Sequence, residues 1–172
     1  MELLQALPED AEVLELGAGP GLLAETILRH CPNVSKYTLL DFSYTMLTVS
    51  RERLREFPRA QFLSADFKKP DWTAGLRTDY SAVVAMQAVH EIRHKRHVPG
   101  LYRQVARHLR PGGRLIVCDG TPRDDSLVRN SLYMTPNEQV DAFHGAGFVD
   151  VEVKLTIGSI VLVSGTLPSS TR

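Results

Sequence analysis

Short apolar runs and helical patterns alternate along this chain. Glu12-Val13-Leu14-Glu15-Leu16 reads as a strand ending at Gly17. Pro20 then stands where a helix begins, since its fixed φ suits the first helical position. Leu23 with Ile27, and Ala24 with Leu28, give the four-residue spacing of one helical face, and Pro32 stops it. Residues 37–41 form a second strand, and Ser43 caps a helix running through Met46, Leu47, Ser50 and Leu54. Further strands follow at 61–66, 80–86 and 114–119, with a helix over 99–108 carrying Leu101 and Val105, and a turn at Pro111-Gly112-Gly113. Thr135-Pro136-Asn137-Glu138 has the spacing of a capping box, and its helix ends at Gly145 or Gly147. Residues 148–156 and 160–165 read as two strands joined at Gly158-Ser159.

This order predicts an α/β, doubly wound sheet of about seven strands, mostly parallel, with a C-terminal hairpin that places one antiparallel strand in it. Right-handed crossovers cover both faces and leave ligands at the carboxyl edge, where strand order reverses.

Composition narrows the function classes. A chain of 172 residues, 43% hydrophobic and 23% charged, is expected to fold as a single domain over 1–172 with a short N-terminal cap. Twenty basic residues balance twenty acidic ones, so no global charge attracts nucleic acid or anionic membrane. No apolar run is long enough for a membrane helix, and Met1 leads into a segment without the pattern of a secretory signal. With Cys31 and Cys118 as its two cysteines, the chain is expected in the cytoplasm.

The sharpest chemical signal is Gly17-Ala18-Gly19-Pro20-Gly21 after the first strand. Alternate glycines let the backbone turn sharply and approach a ligand, and the following helix turns its positive end toward the same place. A dinucleotide fingerprint wants glycine or alanine at position 22, where Leu22 stands. Asp41 follows at about the spacing of a carboxylate that accepts from ribose hydroxyls. Asp66, between Ala65 and Phe67, suits an exocyclic adenine amine, while Phe42 or Met46 offers an apolar face to the ring.

With these residues in order, the chain resembles the class I S-adenosylmethionine-dependent methyltransferases. The matching elements are Glu15 to Gly21, Asp41 to Leu47, Ala65-Asp66, the strand from Tyr80 with its exit to Ile92, and Leu109 to Arg114. The terminal hairpin also matches that family's Rossmann-like sheet, and the nearest flavour is the small-molecule group that includes ubiquinone- and menaquinone-biosynthesis enzymes. The resemblance implies S-adenosylmethionine as cofactor, S-adenosylhomocysteine as product, and no metal. It sets the methionine part against Gly17, Ala18, Gly19, Ala85 and Met86, with Glu15 carried in the same loop. It gives the ribose to Asp41, and the adenine to Ala65, Asp66 and Phe67, beside Phe42 and Met46.

His90-Glu91-Ile92-Arg93-His94 spells a zinc-protease motif, but it falls at a strand exit with Pro99 close behind, where an uninterrupted helix is needed. In the methyltransferase frame His90 lies where the methyl group is presented, and has two readings: a base for an acceptor hydroxyl, amine or acidic carbon, or a histidine packed at the pocket rim. Arg93, Lys95 and Arg96 beside it read as a solvated face or as contacts to an anionic substrate. Asp119 reads as a structural carboxylate at a strand end. Arg129, Tyr133 and Met134 are substrate-contact candidates in a brief 120–134 stretch. That stretch and the short cap predict an open site covered by a bulky substrate, a homodimer partner or another subunit. The expected activity is methyl transfer to a small-molecule acceptor; the alternative is a non-catalytic subunit of the same fold that binds the cofactor and supports a partner protein.

Overall fold

Apolar segments buried on both sides form the middle of a seven-stranded sheet, as the near-continuous apolar runs require. The computed structural model describes residues 2–122 and 127–169, with 127–129 by backbone alone. In chain order these are α1 (Glu2–Gln5), β1 (Ala11–Leu16), α2 (Leu22–His30), β2 (Val34–Asp41), α3 (Tyr44–Arg53), β3 (Ala60–Ser64) and β4 (Tyr80–Met86). Then come α4 (Val98–Ala106), β5 (Leu109–Gly120), α5 (Leu127–Leu132), α6 (Pro136–Gly145), β6 (Val149–Ile157) and β7 (Ile160–Thr166). Strand order is β3-β2-β1-β4-β5-β7-β6. The first five strands are parallel, and β7 runs antiparallel to both β5 and β6, so one antiparallel strand enters the sheet as expected.

Alternation along β1 and β4 feeds two cores. Leu14, Leu16, Val83 and Ala85 pack with Leu101, Val105 and Phe143 on one face, while Val13, Ala82 and Val84 pack with Ala24 and Ile27 on the other. The short α1 is fixed through a buried amide: Asn33 Nδ2 donates to the carbonyls of Leu4 and Leu7, both at 2.9 Å. Thr135 and Glu138 cap α6 reciprocally, and Ser43 Oγ accepts from the Met46 N–H to start α3, both as the spacing predicts.

Three local expectations are corrected. Pro20 is not in the first helical turn: Gly21 is the N-cap of α2, at φ 80°, and its N–H bonds the Ala18 carbonyl, so the glycine turn is longer than the proline suggests. Pro111-Gly112-Gly113 does not separate helix from strand; it is a bulge inside β5, where pairing with β4 shifts between Tyr80 and Ala82. The third strand stops at Ser64, leaving Asp66 in the loop beyond.

Candidate active site

Strand order reverses between β1 and β4, because β2 and β3 build outward on one side of β1 and β4 pairs on the other. A cavity of about 230 Å³ opens at that carboxyl edge. Gly17, Asp41, Phe67, Gln87, Ala88 and Glu91 contribute to its wall, with Phe42, Asp66 and Lys68 at one end. A recess of about 360 Å³ adjoins it through Phe42 and Asp66 and includes Ala65. Sharing Phe42 and Asp66, the two form one trough at the sheet edge.

The glycine loop is held from below and from the side. Gly17 adopts φ 66°, and a Cβ there would lie 2.6 Å from the Ala88 Cβ, so β1 and the exit of β4 approach closely only because that position has no side chain. Asp41, 7% exposed, accepts from the Gly19 N–H through one carboxylate oxygen and from the Ser43 N–H through the other, each at 2.8 Å. This carboxylate thus ties β1's loop to β2's end. Asp66 Oδ1 accepts from the Lys68 N–H at 3.0 Å, and Lys68 Nζ lies 3.8 Å from the same oxygen and 4.7 Å from the Phe42 ring centroid.

The structure therefore gathers Gly17, Asp41, Phe42, Asp66 and Phe67 around the cavity, with Ala65 in the recess and Gly19 hydrogen-bonded at the rim. Other sequence candidates lie elsewhere. Ala18 is turned into the α2-side core, and Met46 is 40% exposed on α3, away from the lining. Glu15, 2% exposed, is enclosed within the sheet and accepts from the Tyr37 hydroxyl at 3.0 Å. Burial pushes its carboxyl up to about 8, against the lowering effect of Tyr37, and the nearby Asp41 charge adds to the rise. Ala85 and Met86 are replaced in the wall by Gln87 and Ala88. Ala85 packs in the core, and Met86 faces Leu23 and Cys118 on the other side. The reason is a turn: Gln87 takes φ 52°, and its N–H bonds the Cys118 carbonyl, bringing the chain across the opening two residues later than the pattern suggests.

His90 lies between the wall residues Ala88 and Glu91 on a 3₁₀ turn over Val89–Ile92, with its Nε2 3.6 Å from Glu91 Oε1. Its Nδ1–H donates to Asp119 Oδ1 at 2.8 Å, and its backbone N–H donates to Asp119 Oδ2 at 2.9 Å. Asp119, at the end of β5, is 2% exposed and also accepts from the Gly120 N–H at 2.7 Å. A carboxylate can only accept, so Nδ1 carries the proton and Nε2 is left as the basic atom. The Asp119 hydrogen bond raises the His90 pKa above the ordinary value, Asp119 and Glu91 charges add to it, and partial burial opposes it. The Tyr133 ring lies 5.0 Å from the His90 ring and rests on Gly120, where a Cβ would meet it at 2.6 Å. The zinc-protease pattern is broken by Arg93, which ends the 3₁₀ turn at φ 68° and leaves His94 beyond it. Met134 is buried in the core, and the Arg129 side chain lies outside the described residues.

Sequence reasoning missed Asp119 as the partner of His90, along with Lys68, Gln87, Ala88 and Glu91. The signal for Asp119 was present: two strands adjacent in the reversed order end with Met86 beside Cys118, which brings the next residues of both together.

Comparison with known proteins agrees with the geometry. A family profile described as a methyltransferase domain matches residues 14–115. A demethylmenaquinone methyltransferase of Tropheryma whipplei is 32% identical over 110 residues, covering 63% of this chain and 41% of that protein. The chain thus spans less than half the length of that relative. Among solved structures, the apo S-adenosylmethionine-dependent methyltransferase SibL superposes with a TM-score of 0.75 at 23% identity, over 97% of this chain and 54% of that one. Human N-acetylserotonin methyltransferase, solved with S-adenosylmethionine, gives 0.75 at 18% identity, over 96% and 49%. At these identities the structural matches establish the fold.

Proposed function

We propose that this chain, which belongs to the methyltransferase domain family, transfers a methyl group from S-adenosylmethionine to a small-molecule acceptor, with His90 as the proton-accepting base. The lining suits that cofactor. S-adenosylmethionine carries a sulfonium, ribose hydroxyls and an adenine amine, and the trough offers the carboxylates of Asp41, Asp66 and Glu91 with the aromatic rings of Phe42 and Phe67. Gly17, without a Cβ to strike Ala88, lets its backbone form part of the cavity wall beside the exit of β4, and such exposed backbone suits a bound amino-acid end. When bound, the cofactor supplies a methyl group already activated on sulfur.

The chain's own residues then have three tasks. Asp41 holds the glycine loop and accepts from the ribose, Asp66 with Phe67 orients the adenine, and the turn from Gln87 to Glu91 presents the acceptor side. Aligning donor and acceptor in line provides most of what methyl transfer needs. His90 Nε2 accepts the proton that an acidic acceptor hydroxyl or carbon loses as the new bond to carbon forms, and Asp119 holds the ring and stabilises its charged form. The observation that carries the catalytic reading, over a purely cofactor-binding one, is this His90–Asp119 pair at the cavity's edge.

An exposed apolar row offers a surface to a covering partner. Met86, Cys118, Leu162 and Leu155 form one register row across β4, β5, β7 and β6, and Met86 and Leu155 remain 42% and 51% exposed. This row lies on the face away from the cavity and suits a second subunit packed against that face, in a cytoplasmic protein; among the described residues no helix is long and apolar enough to cross a membrane. The test of the function is calorimetric titration with S-adenosylmethionine followed by an acceptor screen with labelled methyl donor. Saturable binding and label transfer that fails in His90→Gln are expected. A folded protein that neither binds the cofactor nor transfers label would overturn the proposal.

A further inference from the structure

Beyond Asp66 and Phe67, on the side away from the glycine loop, lies a second cavity of about 650 Å³. Lys68, Lys69, Arg93 and His97 stand around it, and Leu101 and Gln104 of α4 contribute to its wall. Lys68 is balanced by Asp66 at 3.8 Å. Lys69 and Arg93 have no carboxylate within ion-pair distance among the described residues, although they come from separate segments, the β3–β4 connection and the 3₁₀ exit of β4. The chain as a whole has zero net formal charge, so this convergence is local rather than a reflection of a basic protein.

The cofactor proposed above does not need these cations. Its adenosine is uncharged, its sulfonium is positive, and its carboxylate belongs at the opposite end, by Gly17. Lys69 and Arg93 reach the same cavity as exposed, unpaired cations, and a doubly charged anion with several acceptor oxygens complements both at once. Arg93 supplies a planar donor fork and Lys69 a compact point charge, the usual complement for a phosphate group. We infer that this cavity binds a phosphate or phosphate monoester carried by a second ligand, which lies alongside the cofactor rather than forming part of it. Assigning the anion to a second ligand rests on the cofactor reading; the anion site itself stands on the cavity and its cations.

The experiment uses inorganic phosphate and glycerol phosphate as probes, titrated into the whole chain at constant ionic strength set with sodium chloride and followed by amide chemical shifts. Saturable shifts at Lys69, Arg93 and Gly100 are expected. The double variant Lys69→Gln/Arg93→Gln should bind at least about tenfold more weakly, the loss expected for removed charge-assisted hydrogen bonds. Tighter binding of glycerol phosphate assigns the site to an ester, and equal binding assigns it to the free anion. Shifts that do not saturate, or that are the same in the variant, would overturn the site. S-adenosylmethionine is titrated in parallel: unchanged affinity in the variant supports a second ligand, and a loss of affinity overturns that assignment. Phosphate binding without any cofactor binding would sink the cofactor reading and leave the anion site standing.

Discussion

His90 and Asp119 are joined twice, through the imidazole Nδ1 at 2.8 Å and through the backbone N–H at 2.9 Å. The backbone bond fixes where the residue sits, and the ring bond fixes which nitrogen is basic. Because the second contact belongs to the main chain, replacing the imidazole leaves the 3₁₀ turn anchored to β5. A change at position 90 therefore tests chemistry more than folding.

Replacing His90 with Gln should lower kcat by about 10²–10⁴-fold, the usual contribution of a positioned proton acceptor, while leaving the affinity for S-adenosylmethionine within about twofold. Single-turnover transfer and calorimetry measure the two separately. An equal loss in both would place His90 in cofactor binding instead.

The same pair sets a pH dependence. The raised His90 pKa means that Nε2 is blocked by a proton until the pH passes a value above the ordinary 6.5, so kcat should rise with pH along a limb displaced upward. Asp119→Asn keeps an acceptor oxygen but removes the negative charge that strengthens the bond to the imidazolium, so the limb should move toward lower pH and the plateau should fall. The stability contribution has the matching sign: the charged imidazole's attraction to Asp119 is fully present below the unfolded value and is lost as pH rises through the folded one. A kcat profile unchanged by Asp119→Asn would disprove the coupling.

Gly17→Ala is expected to be more harmful than Gly19→Ala. Both positions have positive φ, at 66° and 53°, which costs an alanine on the order of 1 kcal/mol. At Gly17 the added Cβ also lies 2.6 Å from the Ala88 Cβ, whereas at Gly19 nothing lies within 4 Å. Gly17→Ala should therefore push the Gln87–Glu91 turn outward and weaken S-adenosylmethionine binding by about a hundredfold or more, from an overpacking cost of about 1–3 kcal/mol and the strain together. Parallel denaturation and binding titrations of the two variants decide it, and equal effects would mean that Ala88 is not the obstacle.

Much of this architecture is legible in the chain itself. The strands at β1 and β4, the Ser43 and Thr135 caps and the hairpin at Gly158 follow from local periodicity and turn chemistry, which depend on few neighbours. Asp41, Asp66 and Phe67 are legible because a strand's end points at the same sheet edge whatever the details of packing. The exit of β4 is harder to read. Whether Met86 or Ala88 faces the cavity depends on Gln87 adopting φ 52°, with its N–H bonded to the Cys118 carbonyl on a strand distant in sequence. The role of Asp119 is legible only through the pairing that sets Met86 beside Cys118, since its partner is twenty-nine residues away in sequence. Glu15 escapes correct placement because alternation cannot distinguish a carboxylate aimed at a ligand from one enclosed beside Tyr37.

That enclosed carboxylate gives the last prediction. Glu15 is fully surrounded, and its pKa is pushed from the usual 4.5 to about 8 chiefly by burial. A carboxyl whose folded value is raised favours the folded state while it remains protonated. Its contribution is complete below the unfolded value of 4.5, declines as pH rises above that, and is lost by the time pH passes through 8. Above that point a charge sits within the sheet close to Asp41, with the Tyr37 hydroxyl as its hydrogen-bond donor. Glu15→Gln keeps an acceptor for Tyr37 and cannot ionise. Urea denaturation should therefore find the variant close to the parent at pH 5 and more stable at pH 9, by on the order of a few kcal/mol, since each tenfold change in proton affinity corresponds to about 1.4 kcal/mol. Two stability curves that run parallel from pH 5 to pH 9 would mean that Glu15 is ionised in the folded protein throughout, and that the enclosed site tolerates its charge.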